Sequence, residues 1–301
     1  MDRRTAIYLR LWTPRPYDRP VSRVDQLVGD EPVGIDAGKH NVLGVLVDGV
    51  DYDAAITRVL AAARQGQAFC LTALAVHGVM TGVRDRVHQA RLNSFDIVAP
   101  DGQPVRWALN GLYGTRLPDW VSGPELTGRV LDRMADEALS VYLYGSTPEI
   151  IDGLVESLQS TRPTLKVVGA EPSQFRTSTP AELTAVASRI TESGARLLVV
   201  GLGCPRQEIF AHAMRPLLDM PIMAVGAAFD YYAGRLHPAP AWMQRHGLAW
   251  LYRLIREPRR LWRRYLIFNT EYLGRLGAQK LGLWRPAAAT PRYEVSGSIP
   301  V

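Results

Sequence analysis

Two apolar runs that end in glycine, ARLLVVGLG (195–203) and PIMAVGAAF (221–229), decide the fold. The same pattern recurs upstream in AFCLTALAV (68–76), SVYLYGS (140–146) and TLKVVGAE (164–171). Helices are predicted between the strands, at 51–66 with its end at Gly66, and at 84–95, 148–160 and 180–193. Apolar strands that alternate with helices predict an α/β fold with a doubly wound, mostly parallel sheet.

The chain divides into four segments around this pattern. Residues 1–38 are rich in Arg, Pro and Asp without periodicity, which predicts a disordered tail. Residues 39–235 make up the α/β domain, and VLGVLVDGV (42–50) is predicted to be its first strand. Residues 236–285 are predicted to form a basic helical appendage, and residues 286–301 a flexible end.

The composition is that of a globular protein, with 301 residues of which 47% are hydrophobic and 21% are charged. Two cysteines, Cys70 and Cys204, cannot make a disulfide framework and indicate a reducing compartment. No apolar run reaches the ~18 residues needed to cross a bilayer. Arginines and prolines interrupt the basic N-terminus before a signal-peptide core forms. We therefore expect a cytoplasmic protein.

The positive charge is concentrated in one segment. The net charge is +6, and residues 236–285 carry ten basic side chains against two acidic ones. Its arginines recur at short spacing among aromatic and aliphatic residues: Arg253, Arg256, Arg259, Arg260, Arg263 and Arg264. Pro258 is predicted to divide the run into two short helices. Such helices can bind an anionic leaflet or grip a diphosphate. The alternative is a solvated helix packed on the core, and no nucleic-acid-binding motif accompanies the charge.

The first candidate for chemistry is Asp101, in FDIVAPDGQPVRWAL (95–109), where an apolar strand runs into Pro-Asp-Gly. Ligands of such sheets bind beyond the carboxyl ends of the strands, so Asp101 and Gly102 are expected in the binding crevice. A carboxylate there can act as a general base toward a hydroxyl. The alternative is an ordinary Asp-Gly turn.

The second candidate is the turn GLGCPRQE (201–208). Its glycines would let a ligand approach the backbone, its proline can begin a helix whose N-terminus favours phosphate, and its polar side chains suit sugar hydroxyls. The residues concerned are Gly201, Gly203, Pro205, Gln207 and Glu208. Glycines after other strands are expected at the same edge: Gly145, Gly169 and Gly226. The dinucleotide fingerprint GxGxxG is absent, and a plain strand–turn–helix connection is an equal alternative.

Five further residues have a functional or a structural interpretation. Asp230, in VGAAFDYYAG (225–234), could bind donor hydroxyls or cap a helix. Thr72 could touch a diphosphate from a strand end, whereas His77 is typical of a packed histidine. Asp51 and Asp53 resemble the DxD of metal-dependent glycosyltransferases, but acids at a helix start are caps, and we interpret them so. No His/Cys cluster has metal-ligand spacing, so no metal and no cofactor are expected.

Six motifs occur in one order along the chain. They are PDGQPVRWAL (100–109), LPDWVSGPEL (117–126), VYLYGSTPEI (141–150), GLGCPRQE (201–208), VGAAFDYYAG (225–234) and GLAWLYRLIREPRRLWRRY (247–265). Together they resemble the WecG/TagA/CpsF glycosyltransferases, glycosyltransferase family 26, over about residues 40–275. The resemblance implies a Rossmann-like fold of the GT-E type with a C-terminal appendage. It also implies an inverting hexosyltransferase that moves a sugar from a UDP-sugar onto a polyprenyl-diphosphate-linked saccharide at the inner face of the plasma membrane.

The resemblance also assigns roles to residues. It implies Asp101 as the base, Gln207 and Asp230 as pocket residues, and the arginines of the appendage as binders of acceptor diphosphate and membrane. The chain departs from the family pattern at Trp120, Pro238 and Ala249, where Arg, Arg and Glu are usual.

Two functions are therefore weighed. The VHGV, PDGxP and GAAFD forms favour the exopolysaccharide branch and a hexose donor over N-acetylmannosamine. The three departures motivate an alternative, a non-catalytic membrane-associated subunit that binds a nucleotide-sugar or a lipid diphosphate. An NAD-dependent oxidoreductase is disfavoured by the missing fingerprint. The oligomeric state stays open, with a homo-oligomer as one option.

Overall fold

The computed structural model describes residues 34–240, 242–243, 248–290 and 299–300. The predicted tail 1–38 therefore lies almost wholly outside the described residues, as do the side chains of Arg260 and Arg264.

Helices and strands alternate along the chain. The strands are β1 (Asp36–Val42), β2 (Val45–Val50), β3 (Phe69–Leu74), β4 (Ile97–Pro100), β5 (Ser140–Gly145), β6 (Lys166–Glu171), β7 (Thr177–Ser178), β8 (Leu197–Gly201), β9 (Pro221–Ala224) and β10 (Ile299–Pro300). The helices are α1 (Tyr52–Gln65), α2 (Val76–Arg84), α3 (Arg86–Asn93), α4 (Gln103–Tyr113), α5 (Gly123–Asp136), α6 (Pro148–Thr161), α7 (Pro180–Glu192), α8 (Arg206–Met214), α9 (Ala227–Tyr232), α10 (Ala249–Arg256) and α11 (Pro258–Lys280).

The central sheet has six strands in the order β4-β3-β9-β8-β5-β6, and all neighbours are parallel. Its strands are apolar on both faces because helices cover both faces. One layer contains Val79 of α2 and Phe210 of α8, and the other contains Val59 of α1 and Leu154 of α6. Each such side chain contributes ~1.5–3 kcal/mol when it is fully buried. The predicted α/β fold with a doubly wound parallel sheet is confirmed.

The predicted first strand is wrong in one respect. Residues 42–50 do not form one strand of the main sheet, because the chain turns at Leu43 and Gly44 and returns as β2. Both turn residues have positive φ, 58° and 99°, which is the geometry of a tight two-residue hairpin. The apolar residues on either side concealed the turn in the sequence.

Helix boundaries agree with the sequence at several points. α1 ends at Gly66, which has the left-handed conformation that glycine favours, and Asp51 caps its start by accepting from the amide of Ala54 at 2.9 Å. The cap interpretation of Asp51 is thus confirmed. α10 and α11 are separated before Pro258 as predicted, although α11 is long, with 23 residues.

The chain after α11 packs against the α/β domain. The carbonyl oxygens of Pro286, Ala287 and Ala289 accept hydrogen bonds from Asn41, Arg86 and Asn93. β10 pairs antiparallel with β7. The part of the predicted flexible end that is described, residues 286–290 and 299–300, is therefore tied to the core.

Candidate functional site

The carboxyl ends of the parallel strands place several predicted site residues along one edge of the sheet. Asp101 follows β4, Gly145 and Gly201 end β5 and β8, and Gly226 follows β9. Gly169 does not belong to this edge, because it lies inside β6 opposite Tyr142. The structure therefore gathers most of the predicted crevice residues and corrects one of them.

The glycines at this edge are required by close packing. Gly145 pairs with Gly201, and a Cβ on Gly145 would lie 2.7 Å from the carbonyl oxygen of Gly201. A Cβ on Gly201 would lie 2.5 Å from the ring of Phe229. These two glycines let β5, β8 and α9 approach one another, so their packing role is sufficient to explain them.

Asp101 is a carboxylate at this edge whose pKa is raised. Its carboxyl is half-buried and accepts a hydrogen bond from the backbone amide of Gly123. Burial raises the pKa of Asp101 to about 6, against the opposing effect of the Arg253 guanidinium. Gly102, with φ 90°, follows Asp101 and is the N-cap of α4. A carboxylate with a pKa in this range is ionised at neutral pH and basic enough to accept a proton.

Arg253 reaches Asp101 from α10 of the basic appendage. It also interacts with Tyr231, and its buried Nε has no hydrogen-bond partner within the described part of the chain. We predicted Arg253 as a binder of acceptor or membrane, and the structure places it beside the candidate base. The appendage therefore contributes a cation to the site.

Two tyrosines near Asp101 were missed by the sequence reasoning. Tyr52 accepts a hydrogen bond from the amide of Ser122 at 2.8 Å and donates one to Glu125. Both Tyr52 and Tyr231 interact electrostatically with Asp101, and burial raises the pKa of each phenol. Tyr52 lies between Asp51 and Asp53, whose pattern predicts a helix start and gives no indication of a role for the tyrosine.

Gln207 links two of the glycine turns. Its Oε1 accepts hydrogen bonds from the amides of Gly203 at 3.1 Å and Gly226 at 2.8 Å, and its Nε2 donates to Glu208 and to the carbonyl of Ala224. Gln207 is therefore fully engaged with the protein. It shapes the turns, and the amides of both glycines are directed at its side chain.

Thr72 and Glu208, predicted as donor-binding residues, are completely buried. Thr72 lies inside β3, and its hydroxyl contacts Glu208 Oε1 at 3.0 Å and the carbonyl of Ala224 at 3.2 Å. Burial raises the pKa of Glu208. The two side chains form a polar cluster beneath the sheet edge and do not line an open surface.

Asp230 lies in the first turn of α9, and Pro205 lies at the start of α8. Asp230 is half-buried in α9, whose N-cap is Gly226, so the cap interpretation of Asp230 is wrong. Its backbone carbonyl accepts from the amides of Arg235 and Leu236. Pro205 is the residue that precedes α8.

The three departures from the family pattern lie in different environments. Trp120 is half-buried, and the amide of the next residue, Val121, donates to the carbonyl of Pro100, directly before Asp101. Pro238 is exposed, and Ala249 is half-buried at the start of α10.

The basic appendage has an anchored part and an exposed part. Tyr272 of α11 is buried and donates to the carbonyl of Pro104 at 3.1 Å. The preceding turns of α10 and α11 expose arginines and apolar side chains together: Ile255, Arg256, Arg259, Trp262, Arg263, Leu266 and Ile267. We call these seven residues the basic–apolar surface. None of the described helices combines the length and apolar character needed to span a bilayer.

Comparison with known proteins identifies the family. A family model described as glycosyl transferase WecG/TagA/CpsF matches residues 40–286. The chain belongs to this family. The match spans the α/β domain and the appendage, and it confirms both the resemblance inferred from the motifs and the glycosyltransferase class.

Two curated relatives share the sequence over most of this range. One, from Bacillus subtilis, is 31% identical over 185 residues, which are 61% of this chain and 70% of the relative. The other, from Bacillus spizizenii, is 30% identical over 180 residues, which are 60% and 67% of the two chains. Both are named N-acetylglucosaminyldiphosphoundecaprenol N-acetyl-beta-D-mannosaminyltransferase.

Proposed function

We propose that this protein transfers a sugar, with inversion, from a UDP-sugar to a polyprenyl-diphosphate-linked saccharide. The observation that carries the proposal is Asp101, a carboxylate with a pKa of about 6 at the carboxyl edge of the sheet, facing an arginine. The names of the relatives support the acceptor class, since both describe transfer to a saccharide on a diphosphoundecaprenol.

The reaction is a single displacement. Asp101 takes the proton of the acceptor hydroxyl while the hydroxyl oxygen forms a bond to the anomeric carbon of the donor. The bond from that carbon to the β-phosphate oxygen breaks, and UDP leaves with its electron pair. General-base assistance of this kind contributes ~10²–10⁴-fold to the rate.

The leaving diphosphate requires stabilisation by groups that already face it. The amides of Gly203 and Gly226 are engaged by Gln207, which leaves Arg253 as the better candidate. The buried Nε of Arg253 has no partner among the described residues and can donate to a phosphate oxygen. In this proposal Arg253 both tunes Asp101 and binds the anionic substrate.

The proposal for the donor has two parts, the nucleotide carrier and the sugar. A UDP-linked sugar follows from the family resemblance, and the sequence forms noted above favour a hexose and a role in exopolysaccharide synthesis. The relatives instead act with N-acetylmannosamine, according to their names. A donor panel must therefore contain both classes.

A membrane-bound acceptor requires that the protein approach a lipid surface. The basic–apolar surface supports this step, because Trp262 is 49% and Leu266 63% exposed among arginines. Such a surface can insert apolar groups at the headgroup boundary while each basic residue adds ~1 kcal/mol of attraction to anionic lipid. We propose that the protein binds the cytoplasmic leaflet peripherally through this surface.

The test is release of UDP from a panel of UDP-sugars in the presence of a short-chain polyprenyl-diphosphate-saccharide. Asp101→Asn should lower acceptor-dependent release by about 10²–10⁴-fold and leave donor affinity within a few-fold. Asp136→Asn, which changes an exposed aspartate of α5, is the matched control.

Two results would count against the proposal. Substantial transfer by Asp101→Asn would remove Asp101 from the role of base. No release from any donor, with nucleotide binding intact, would favour the non-catalytic binding subunit that Trp120, Pro238 and Ala249 motivate.

A further inference from the structure

A second cluster of chemically reactive side chains lies behind the glycine turn that follows β8. It consists of His88 from α3, Cys204 from the turn and Glu208 from the first turn of α8. One nitrogen, the sulfur and one carboxylate oxygen all lie within 4.8 Å of one another. His88 precedes Cys204 and Glu208 by more than a hundred residues, so spacing gave no indication of the cluster.

His88 is in an unusual environment for a histidine. Its side chain is 1% exposed, and neither ring nitrogen has a hydrogen-bond partner within the described part of the chain. Burying an imidazole without partners is unfavourable, and an imidazole nitrogen is a common metal ligand.

Hydrogen bonds hold one carboxylate oxygen of Glu208 and leave the other without a donor among the described residues. Its Oε1 accepts from Thr72 at 3.0 Å and from Gln207 at 2.8 Å. Its Oε2 is buried and accepts no hydrogen bond from the described residues. The Cys204 thiol also contacts this carboxylate. Hydrogen bonds that fix one carboxylate oxygen are the usual support for a ligating carboxylate.

We propose that His88, Cys204 and Glu208 form a binding site for a divalent transition metal of the zinc class. Imidazole nitrogen, thiolate sulfur and carboxylate oxygen are the donors that zinc takes in proteins. A thiolate and a carboxylate together balance the charge of the ion. Ligands of one zinc lie roughly 3.5 Å apart, so the three side chains need only small movements.

The site would act on the proposed active site indirectly. Glu208 is hydrogen-bonded to Gln207, and Gln207 holds the amides of Gly203 and Gly226. An ion bound to Glu208 and Cys204 therefore stabilises the turns at the carboxyl edge of the sheet. The sugar-transfer step itself does not pass through the ion, and the proposal goes beyond the proposed function.

The first experiment loads the purified full-length chain with Co²⁺ and records its absorption. Wild type should show a charge-transfer band of thiolate bound to cobalt, together with the visible bands of a four-coordinate ion. Cys204→Ser should lose the charge-transfer band, and Cys70→Ser, which changes the other cysteine, should keep it. Retention of the band in Cys204→Ser, or its absence from wild type, would overturn the proposal.

The second experiment measures thermal unfolding with Zn²⁺ or with a chelator. Zinc should raise the Tm of wild type, because a ligand that binds only the folded state stabilises it. His88→Leu should abolish most of that increase and be at least as stable as wild type in chelator, since it removes an uncompensated buried polar group. A zinc-dependent increase of equal size in His88→Leu would show that His88 is only a packed residue and would contradict the site.

Both experiments read out metal binding and not sugar transfer. If the protein binds cobalt through Cys204 but releases no UDP, the proposed metal site stands and the proposed function is wrong. If the protein releases UDP but does not bind cobalt through Cys204, the proposed function stands and the proposed metal site is wrong.

Discussion

The guanidinium of Arg253 on α10 faces the carboxyl of Asp101 at the end of β4 and lowers its pKa, while burial raises it. The two residues belong to different parts of the chain, the basic appendage and the α/β domain. The opposing effects of burial and of the Arg253 charge keep the pKa of Asp101 near 6. A base tuned in this way depends on the appendage being in place.

Removing Arg253 should shift the pH dependence of transfer. In wild type, kcat/KM should fall as the pH drops through about 6, because Asp101 becomes protonated. Arg253→Ala removes the interaction that lowers the pKa, so the acidic limb should move up by about one pH unit. The measurement is UDP release as a function of pH.

Arg256→Ala is the control for this shift, because Arg256 is exposed on the same helix. Its acidic limb should coincide with that of wild type. An unchanged limb in Arg253→Ala would mean that Arg253 does not tune Asp101.

Asp101 should reduce the stability of the folded protein at neutral pH. Its pKa is raised on folding, so its contribution is most favourable below the unfolded pKa near 4 and is lost as the pH rises through about 6. Asp101→Asn should therefore be more stable than wild type at pH 8, by up to about 3 kcal/mol, and equal to it near pH 3.5. Urea unfolding at both pH values measures the difference, and a gain at acidic pH alone would contradict the assignment.

The hydrogen bonds of Gln207 should stabilise the turns at the sheet edge. Gln207→Leu leaves the amides of Gly203 and Gly226 without their acceptor, which should cost about 1–3 kcal/mol of unfolding free energy. Donor KM should rise because the turns lose their fixed geometry. Gln159→Leu, on the exposed face of α6, should change neither quantity. Unaltered stability in Gln207→Leu would show that water replaces the side chain at little cost.

Reversing the charge of the basic–apolar surface should weaken binding to anionic vesicles. Replacing Arg256, Arg259 and Arg263 by Glu should lower the partition coefficient by at least 10²-fold, since each arginine contributes about 1 kcal/mol. Arg196→Glu, an exposed arginine at the amino end of β8, is the control. Vesicle co-sedimentation with and without anionic lipid makes the comparison. Equal binding of the triple variant would show that these arginines are solvated and do not contact lipid.

Much of the fold was predictable because local patterns and tertiary packing agree. The runs that became β5, β8 and β9 are apolar on both faces, and glycine ends α1. The position of Asp101 at the sheet edge followed from the strand before it. In contrast, the hairpin turn at Leu43 and Gly44 lies within an apolar run, where no polar turn residue indicated it.

The site was predicted less completely than the fold. Thr72, Gln207 and Glu208 are polar residues near strand ends, so the sequence suggested that they face a ligand, whereas they bond to one another and to the backbone. Arg253 was grouped with the other arginines because charge alone does not distinguish the one that turns inward. Such choices depend on which helix packs against which strand, and spacing carries no information on that.

The hydrogen bond from Tyr272 to Pro104 joins α11 to α4, whose N-cap, Gly102, directly follows Asp101. If the basic–apolar surface rests on a leaflet, the height of Asp101 above the lipid is set by this linkage. The length of the acceptor would then determine whether it can react, since its hydroxyl must lie at the same height above the lipid as Asp101. A longer saccharide would carry its terminal hydroxyl beyond the base, so the enzyme would add its sugar at a defined step of chain growth.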